Sequence, residues 1–181
     1  MQEVMENTLP CVQKDGADAD TARRVLFVCT GNTCRSPMAA ALLNDQSAPR
    51  EICSACAPSE LRTYLARSAG LYAASGAPIT PAAVMALEEA GVASTPYNDY
   101  RAHRAHSVTE GDVEWADVIV AITAAHAMEL MLRFPDAASK IRTLPMDIAD
   151  PYGGSAQDYR DCLLQLRYCL QIAFFGAEDT P

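Results

Sequence analysis

The chain has 181 residues, half of them apolar and one-fifth charged, and its formal net charge is −9. This length and balance are typical of one globular domain with a sizeable core. The acidic charge argues against a nucleic-acid partner, which would need a basic surface. No apolar run approaches the length of a membrane span, so we expect no membrane partner. The first 20 residues carry several acids and no apolar core region, which is unlike a secretory signal.

We expect a flexible N-terminal tail over residues 1–22 and one folded domain over residues 23–177. The seven cysteines are an odd number, which argues against a secreted disulfide framework and favours reduced cysteines in a cytoplasmic protein. Cys162 and Cys169 lie seven positions apart on an amphipathic stretch, and we predict that both are small core residues. We expect a monomer.

Apolar runs alternate with helical periodicity along the chain, which is typical of an α/β fold with a parallel sheet. Strands are predicted at 24–28, 62–68, 118–122 and 141–144. Helices are predicted at 36–45, 81–90, 109–115, 124–133 and 155–175. Thr80 and Pro81 begin the second helix as cap and first helical residue, and Gly91 ends it.

The most informative segment joins the first strand to the first helix. An apolar run from Val25 to Cys29 is followed by a polar loop in which Gly31 allows a tight turn, and then by Ser36 and Pro37. Serine suits the helix N-cap and proline the first helical position. A strand, a tight loop and a helix N-terminus together form an anion site, because main-chain N–H groups and the helix dipole face the same point.

A cysteine begins this loop and an arginine ends it, which places a nucleophile and a phosphate ligand on one anion site. The helix dipole, the N–H groups and Arg35 should favour the thiolate form of Cys29, and the Ser36 hydroxyl could add a hydrogen bond to the sulfur. Arg35 could bind two phosphoryl oxygens as a bidentate fork. In-line attack by sulfur would give a phosphocysteine. The alternative is a buried cysteine at the end of a strand.

A second Cys-x5-Arg match, from Cys56 to Arg62, serves as an internal control. No apolar strand precedes Cys56, Pro58 removes an N–H donor, and Glu60 would place negative charge where phosphate must bind. We therefore interpret this second match as accidental.

Asp150 is the best candidate for the proton donor to the leaving group. It lies past the last predicted strand, in the turn sequence Asp-Pro-Tyr-Gly-Gly. The alternative is a turn aspartate that merely favours this geometry. Asp147 is a weaker candidate. Tyr152 could form an aromatic wall beside the substrate or pack on the surface.

These residues resemble the low-molecular-weight protein tyrosine phosphatases over about Val25 to Phe175. The matching motifs are Val28 to Met38, Ser68 to Gly70, Thr80-Pro81, His103-Arg104, Ala116-Asp117 and Asp150 to Gly154. The resemblance implies a three-layer α/β sandwich, with a central four-stranded parallel sheet and helices on both faces, so that residues 23–177 would be a phosphatase domain. It implies no cofactor and no metal, and phosphorylated proteins as substrates.

The resemblance also assigns roles in the loop. Cys29 would be the nucleophile, Arg35 the phosphate ligand and Asp150 the general acid, while Asn32 and Ser36 would hold the loop and the thiolate. The implied phosphate-binding residues are Thr30, Gly31, Asn32, Thr33, Cys34, Arg35 and Ser36.

Thr33 suggests which substrate the enzyme takes. Many tyrosine-directed members carry isoleucine at this position, whereas the Thr-Gly-Asn-Thr version is similar to the protein arginine phosphatase branch. Isoleucine crowds the cleft, whereas threonine could order a water or an attacking group near phosphorus. Asp150 could bind the planar cationic head of a phosphoguanidinium. Phosphoarginine is therefore the predicted substrate, and phosphotyrosine is the alternative.

Several other interpretations remain open. Family likeness supports a reversible disulfide between Cys29 and Cys34, against a small buried loop residue. An arsenate reductase would need further cysteines in the middle of the chain. Cys53 and Cys56 with His103 and His106 could bind zinc, but the signal is thin. From another class, a phosphopeptide-binding module would have lost Cys29 or Asp150. His103 is predicted to be a structural hydrogen-bonding residue and His126 a surface residue.

Overall fold

The computed structural model describes residues 22–47 and 64–176. All but the last residue of the predicted tail, the second Cys-x5-Arg match from Cys56 to Arg62, and the candidate zinc ligands Cys53 and Cys56 lie outside these residues.

Four parallel strands form one sheet in the order β2-β1-β3-β4. Their bounds are β1 Arg23–Cys29, β2 Tyr64–Gly70, β3 Val118–Ala121 and β4 Ile141–Thr143. The central strands β1 and β3 are almost wholly apolar because helices cover both faces of the sheet. The four-stranded parallel sheet expected from the resemblance is confirmed.

The described residues contain five α-helices around the sheet. They are α1 Arg35–Gln46, α2 Pro81–Glu89, α3 Glu110–Trp115, α4 Ala124–Arg133 and α5 Ala156–Leu170. Of these, α2 packs on α1 and α5. Short 3-10 turns cover Tyr100–Ala102 and Pro135–Lys140, and a π-helical turn covers Gln171–Phe175. Capping boxes begin α3 and α5, where Thr109 with Asp112 and Ser155 with Asp158 exchange hydrogen bonds.

Alternate residues of β1 enter two separate cores. Val25 and Phe27 pack with α1, α2 and α5 on one face, whereas Leu26 and Val28 pack with α3 and α4 on the other. This alternation follows from the two-residue period of a strand. The result is the expected three-layer sandwich, with Cys29 at the carboxyl end of the central strand.

Most helix and strand bounds differ from the predictions by at most one residue, and three differences matter for the fold or the site. Strand β2 extends to Gly70 rather than ending at residue 68, because Gly70 pairs with Cys29. The last α-helix ends at Leu170, and the chain continues as the π-helical turn. Ser36 is not the N-cap of α1: Cys34 holds that place, because the N–H of Met38 already bonds to its carbonyl. Pro37 is consequently the third helical residue, where a missing N–H is still harmless.

The predicted core cysteines are both buried, Cys162 at 5% and Cys169 at 0% exposure, and both are free thiols. Burial raises the pKa of the Cys162 thiol to about 12. No helix in the described part of the chain combines the length and apolar character needed to cross a membrane.

Candidate active site

The site lies at the carboxyl edge of the sheet, where the loop after β1 leads into α1 and the segment after β4 leads into α5. Open α/β sheets place ligands at this edge. The topology therefore brings Cys29, Arg35 and Asp150 together, although Asp150 follows Arg35 by 115 positions.

The loop is shaped by Asn32 rather than by Gly31. Asn32 has a φ of 56° and is the sole non-glycine residue with positive φ among the described residues, whereas Gly31 needs no such conformation. Asparagine tolerates this region when its side chain hydrogen-bonds locally. Here its Nδ2 donates to Ser36 Oγ at 3.0 Å and to Ser68 Oγ at 2.9 Å. The buried amide thus ties the loop to α1 and β2.

Two neighbouring segments hold the same loop. The main-chain N–H of His106 donates to Asn32 Oδ1 at 3.1 Å, and His103 Nε2 lies 2.8 Å from the Asn32 carbonyl oxygen. The predicted structural role of His103 agrees with this contact. Burial lowers the pKa of His103, so its neutral ring donates this bond near pH 7. A Cβ on Gly70 would lie 2.7 Å from the carbonyl oxygen of Thr30. Strand β2 therefore passes so close to the loop that this position has no room for a side chain.

Cys29 is 2% exposed and its sulfur has two donors nearby. The N–H of Asn32 donates to Sγ at 3.4 Å, and Ser36 Oγ lies 3.0 Å from Sγ. The Ser36 hydroxyl also donates to the Ala69 carbonyl at 3.2 Å. Because Ser36 has one proton, it can turn from that carbonyl to the sulfur when Cys29 is a thiolate. Both donors can therefore hydrogen-bond to the sulfur of Cys29.

The loop supplies further unused donors. In the described part of the chain, the main-chain N–H groups of Gly31, Thr33, Cys34 and Arg35 have no hydrogen-bond acceptor. The Nε of Arg35 also lacks a hydrogen-bond acceptor, and it is buried in a residue that is only 5% exposed. Buried donors are normally paired in proteins. A tetrahedral oxyanion would satisfy several of them at once.

Arg35 reaches Asp150 across the site. Its Nη2 donates to Asp150 Oδ2 at 2.6 Å, and its Nη1 donates to the Ile148 carbonyl at 3.3 Å. The Arg35 side chain is 6% exposed, whereas that of Asp150 is 47% exposed and open to a ligand. Asp147 is held elsewhere, because its Oδ1 accepts from the N–H of Ala124 at the start of α4 at 2.8 Å.

Cys34 and Thr33 complete the loop. The Cys34 sulfur is 3.4 Å from both Thr80 Oγ1 and the Tyr159 hydroxyl, and the thiol is free and buried. Thr33 is half-buried, and its carbonyl accepts from the N–H of Thr80 at 2.9 Å.

Tyr152 is 71% exposed two residues beyond Asp150 and can still face a substrate. Its main-chain N–H donates to Asp150 Oδ1 at 3.2 Å and helps to fix the carboxylate.

The prediction that His126 lies at the surface is wrong. The residue is 8% exposed, and its Nε2 lies 2.9 Å from Thr30 Oγ1 in the loop. Its position near a helix start predicted an exposed side chain. However, β3 pairs directly with β1, and this pairing brings the start of α4 next to the loop. Burial and then the charge of Arg35 lower the pKa of His126.

No group of three His, Cys, Asp or Glu side chains within residues 22–47 and 64–176 is placed to hold a metal ion. The side chains that meet at the loop are the Cys29 thiol, the Arg35 guanidinium and the Asp150 carboxyl group, a set that can support nucleophilic catalysis.

Comparison with known proteins agrees with this chemistry. Residues 24–172 match the family model of low molecular weight phosphotyrosine protein phosphatases. A protein-arginine-phosphatase of Geobacillus stearothermophilus is 38% identical over an alignment of 144 residues that covers 76% of this chain and 84% of the relative. A probable low molecular weight protein-tyrosine-phosphatase, EpsP of Ralstonia solanacearum, is 32% identical over 149 residues, covering 80% of this chain and 89% of the relative.

The fold matches as well. The solved structure of YwlE arginine phosphatase from Geobacillus stearothermophilus superimposes with a TM-score of 0.67 at 34% identity, covering 88% of this chain and 99% of that one. The chain belongs to the low molecular weight phosphotyrosine protein phosphatase family and is a cysteine-dependent protein phosphatase.

Proposed function

We propose that this phosphatase hydrolyses phosphoarginine in proteins through a phosphocysteine on Cys29. The observation that carries the substrate assignment is Thr33, a small polar residue in the loop where many tyrosine-directed members carry isoleucine. The relative with 38% identity is named a protein-arginine-phosphatase, which supports the same assignment.

In the first step, the Cys29 thiolate attacks phosphorus in line with the bond to the leaving nitrogen. The S–P bond forms as the P–N bond breaks, and the leaving guanidine nitrogen takes a proton from Asp150. Arg35 and the loop N–H groups, with Thr30 beside them, stabilise the charge that spreads over the equatorial oxygens.

In the second step, water attacks the phosphocysteine. The Asp150 carboxylate takes the proton of this water, the S–P bond breaks, and the products are inorganic phosphate and the Cys29 thiolate. Ser36 and the N–H of Asn32 stabilise the thiolate as it leaves, because they already lie 3.0 Å and 3.4 Å from the sulfur.

The ion pair between Arg35 and Asp150 supports the choice of substrate. A bound phosphoryl group competes with Asp150 for Arg35, which frees the carboxyl group to face the leaving group. A phosphoguanidinium offers the carboxyl group of Asp150 planar N–H donors in return, whereas a tyrosine ring offers none.

Phosphotyrosine is the second candidate, because the EpsP relative is named a tyrosine phosphatase and the loop chemistry suits either ester or amide. A binding module without turnover has no support, since both Cys29 and Asp150 are present and the relatives are enzymes. We further propose that the enzyme acts as a monomer in the cytoplasm.

The test compares turnover of matched phosphoarginine and phosphotyrosine peptides by the wild type, Thr33→Ile and the control Thr33→Ser. We expect the wild type to prefer phosphoarginine, and Thr33→Ile to lose that preference by about tenfold or more, while Thr33→Ser keeps it. A wild type that prefers phosphotyrosine would overturn the assignment, and so would a preference that Thr33→Ile leaves unchanged.

We also propose that Cys34 protects the nucleophile. A sulfenic acid on Cys29 would condense with the Cys34 thiol to a disulfide and release water. Peroxide should therefore inactivate the wild type reversibly, with full recovery in dithiothreitol, whereas Cys34→Ser should recover only in part. Equal recovery of the two proteins would rule out this role.

A further inference from the structure

We propose that His126 is a positioning residue whose neutral imidazole, with its proton on Nε2, directs the Thr30 hydroxyl proton toward the bound phosphoryl group. This inference deepens the proposed phosphoryl-transfer site and rests on it, but it does not depend on which phosphorylated residue is the substrate.

The imidazole is fixed on both sides. Nδ1 lies 2.9 Å from Thr123 Oγ1, and Nε2 lies 2.9 Å from Thr30 Oγ1. Thr123 is the N-cap of α4, and its Oγ1 accepts from the main-chain N–H of His126 at 3.3 Å. Because each ring nitrogen has a hydroxyl partner, the ring cannot turn without losing a hydrogen bond.

Counting protons indicates where the ring proton lies. Thr123 Oγ1 already accepts one bond, so its own proton can go to Nδ1, which leaves the single proton of a neutral ring on Nε2. In the other tautomer, Nδ1–H would donate to Thr123 Oγ1, and the hydroxyl proton of Thr123 would have no acceptor. Thr123 is half-buried whereas Thr30 is exposed, so an unused proton costs less on Thr30.

The charged neighbours agree with a neutral ring. Arg35 disfavours a second proton on His126, while Asp150 and Asp147 favour one, and burial has the largest effect, so that the pKa of His126 is lowered overall. Near pH 7 the ring therefore carries one proton.

Thr30 Oγ1 then accepts from two donors, His126 Nε2 and Arg35 Nη2, the latter at 3.4 Å. Its own proton has no acceptor in the described part of the chain and is available to a phosphoryl oxygen above the loop. His126 thus acts through Thr30 and does not itself touch the substrate.

The first test does not require turnover. Long-range ¹H–¹⁵N NMR of the imidazole of His126 in wild-type protein at pH 7.5 reports which nitrogen carries the proton. We expect the neutral Nε2–H form. A neutral Nδ1–H form, or a doubly protonated ring, would overturn the proposal.

The second test is kinetic, with p-nitrophenyl phosphate as substrate. Glutamine can place a side-chain N–H near the position of Nε2, whereas asparagine reaches only that of Nδ1. We expect His126→Asn to lower kcat about tenfold, the effect of one lost hydrogen bond to a charged group. His126→Gln should restore part of that loss. Met128→Ala, at an exposed position on α4, is the control for helix packing and should behave as wild type.

A double-mutant cycle separates positioning from general stability. Thr30→Val removes the hydroxyl that His126 orients, so adding His126→Asn to it should lower kcat no further. Additive losses would overturn the proposal, as would full kcat in a folded His126→Asn. Full turnover by Cys29→Ser would instead contradict the proposed phosphocysteine route, and it would leave the NMR result standing.

Discussion

Arg35 Nη2 and Asp150 Oδ2 lie 2.6 Å apart, so the proposed phosphate ligand and the proposed proton donor form an ion pair across the site. In the proposed mechanism, the substrate would exchange this contact for one of its own, because one guanidinium cannot hold both a phosphoryl group and the carboxylate in full. The pair would then couple phosphate binding to release of the general acid.

Replacing Asp150 should therefore affect turnover and phosphate binding in opposite directions. We expect Asp150→Asn to lower kcat about 10²- to 10⁴-fold, the usual contribution of a general acid. Inhibition by inorganic phosphate should become tighter, because Arg35 loses its competing partner. Steady-state kinetics with added phosphate measure both. Asp147→Asn is the control, since Asp147 bonds to the start of α4. Weaker phosphate inhibition in Asp150→Asn would contradict this coupling.

The hydroxyl of Ser36 should control the reactivity of Cys29. We expect Ser36→Ala to slow alkylation of Cys29 by iodoacetamide at pH 6.5 by about tenfold or more, since a hydrogen bond to a charged group such as a thiolate is worth about 1.5 kcal/mol or more. Peptide mapping by mass spectrometry gives the rate at that site. Ser107→Ala removes an exposed hydroxyl that bonds to the Ala73 carbonyl and not to the sulfur, so it should leave the rate unchanged. Equal rates in wild type and Ser36→Ala would show that the hydroxyl does not stabilise the thiolate.

Gly70 is the position where a single methyl group should disturb the loop most. Gly70→Ala would bring its Cβ to 2.7 Å from the carbonyl oxygen of Thr30, a main-chain atom that can move only with the loop. We expect a loss of about 1–3 kcal/mol in the free energy of unfolding together with a fall in kcat. Gly111→Ala is the control, because its Cβ would lie 3.8 Å from the Thr109 hydroxyl oxygen. Urea unfolding measures the stability of Gly70→Ala and Gly111→Ala. Equal stability of the two variants would contradict the close approach of Gly70 to the Thr30 carbonyl.

Stability should fall on mild acidification. Burial lowers the pKa of both His103 and His126. A lowered folded-state pKa favours the neutral ring, so the stabilisation is complete above the unfolded value of 6.5 and is lost as the pH falls through the folded values. We expect the free energy of unfolding to be flat from pH 8 to 7 and to decline below 6.5.

Urea titrations at several pH values between 8 and 5.5 test this decline, and they stop before carboxyl groups titrate. In the double variant His103→Asn with His126→Asn, the slope below pH 6.5 should largely disappear. A slope that persists unchanged in that variant would assign the effect to other groups.

The sheet and the loop after β1 could be predicted from the sequence because they depend on local pattern, and the role of Cys29 as nucleophile stays a prediction. The apolar run of β1 and the spacing from Cys29 to Arg35 required no knowledge of distant contacts. The left-handed turn fell on Asn32 rather than Gly31, because the Asn32 amide finds partners on α1 and β2, which adjacent residues do not reveal. His126 was misplaced for the same reason, since its partner Thr30 is 96 positions away.

Ser36 shows how a local rule can be overridden. Serine before proline is typical of an N-cap, but the helix begins at Arg35 and the Ser36 hydroxyl bonds within the site instead. The Ser36-Pro37 pair thus resembles a helix start, whereas the serine side chain bonds to the sulfur of Cys29. Only the three-dimensional contacts distinguish these two interpretations.

The most direct test of the mechanism is the mass of the enzyme trapped during turnover. Asp150→Asn mixed with p-nitrophenyl phosphate releases a leaving group that needs no acid, so the phosphoenzyme should accumulate. Quenching in denaturant followed by peptide mapping should place one phosphoryl group on the peptide that contains Cys29, and none on the same peptide of Cys29→Ala. A phosphoryl group on any other residue, or turnover retained by Cys29→Ala, would contradict the account.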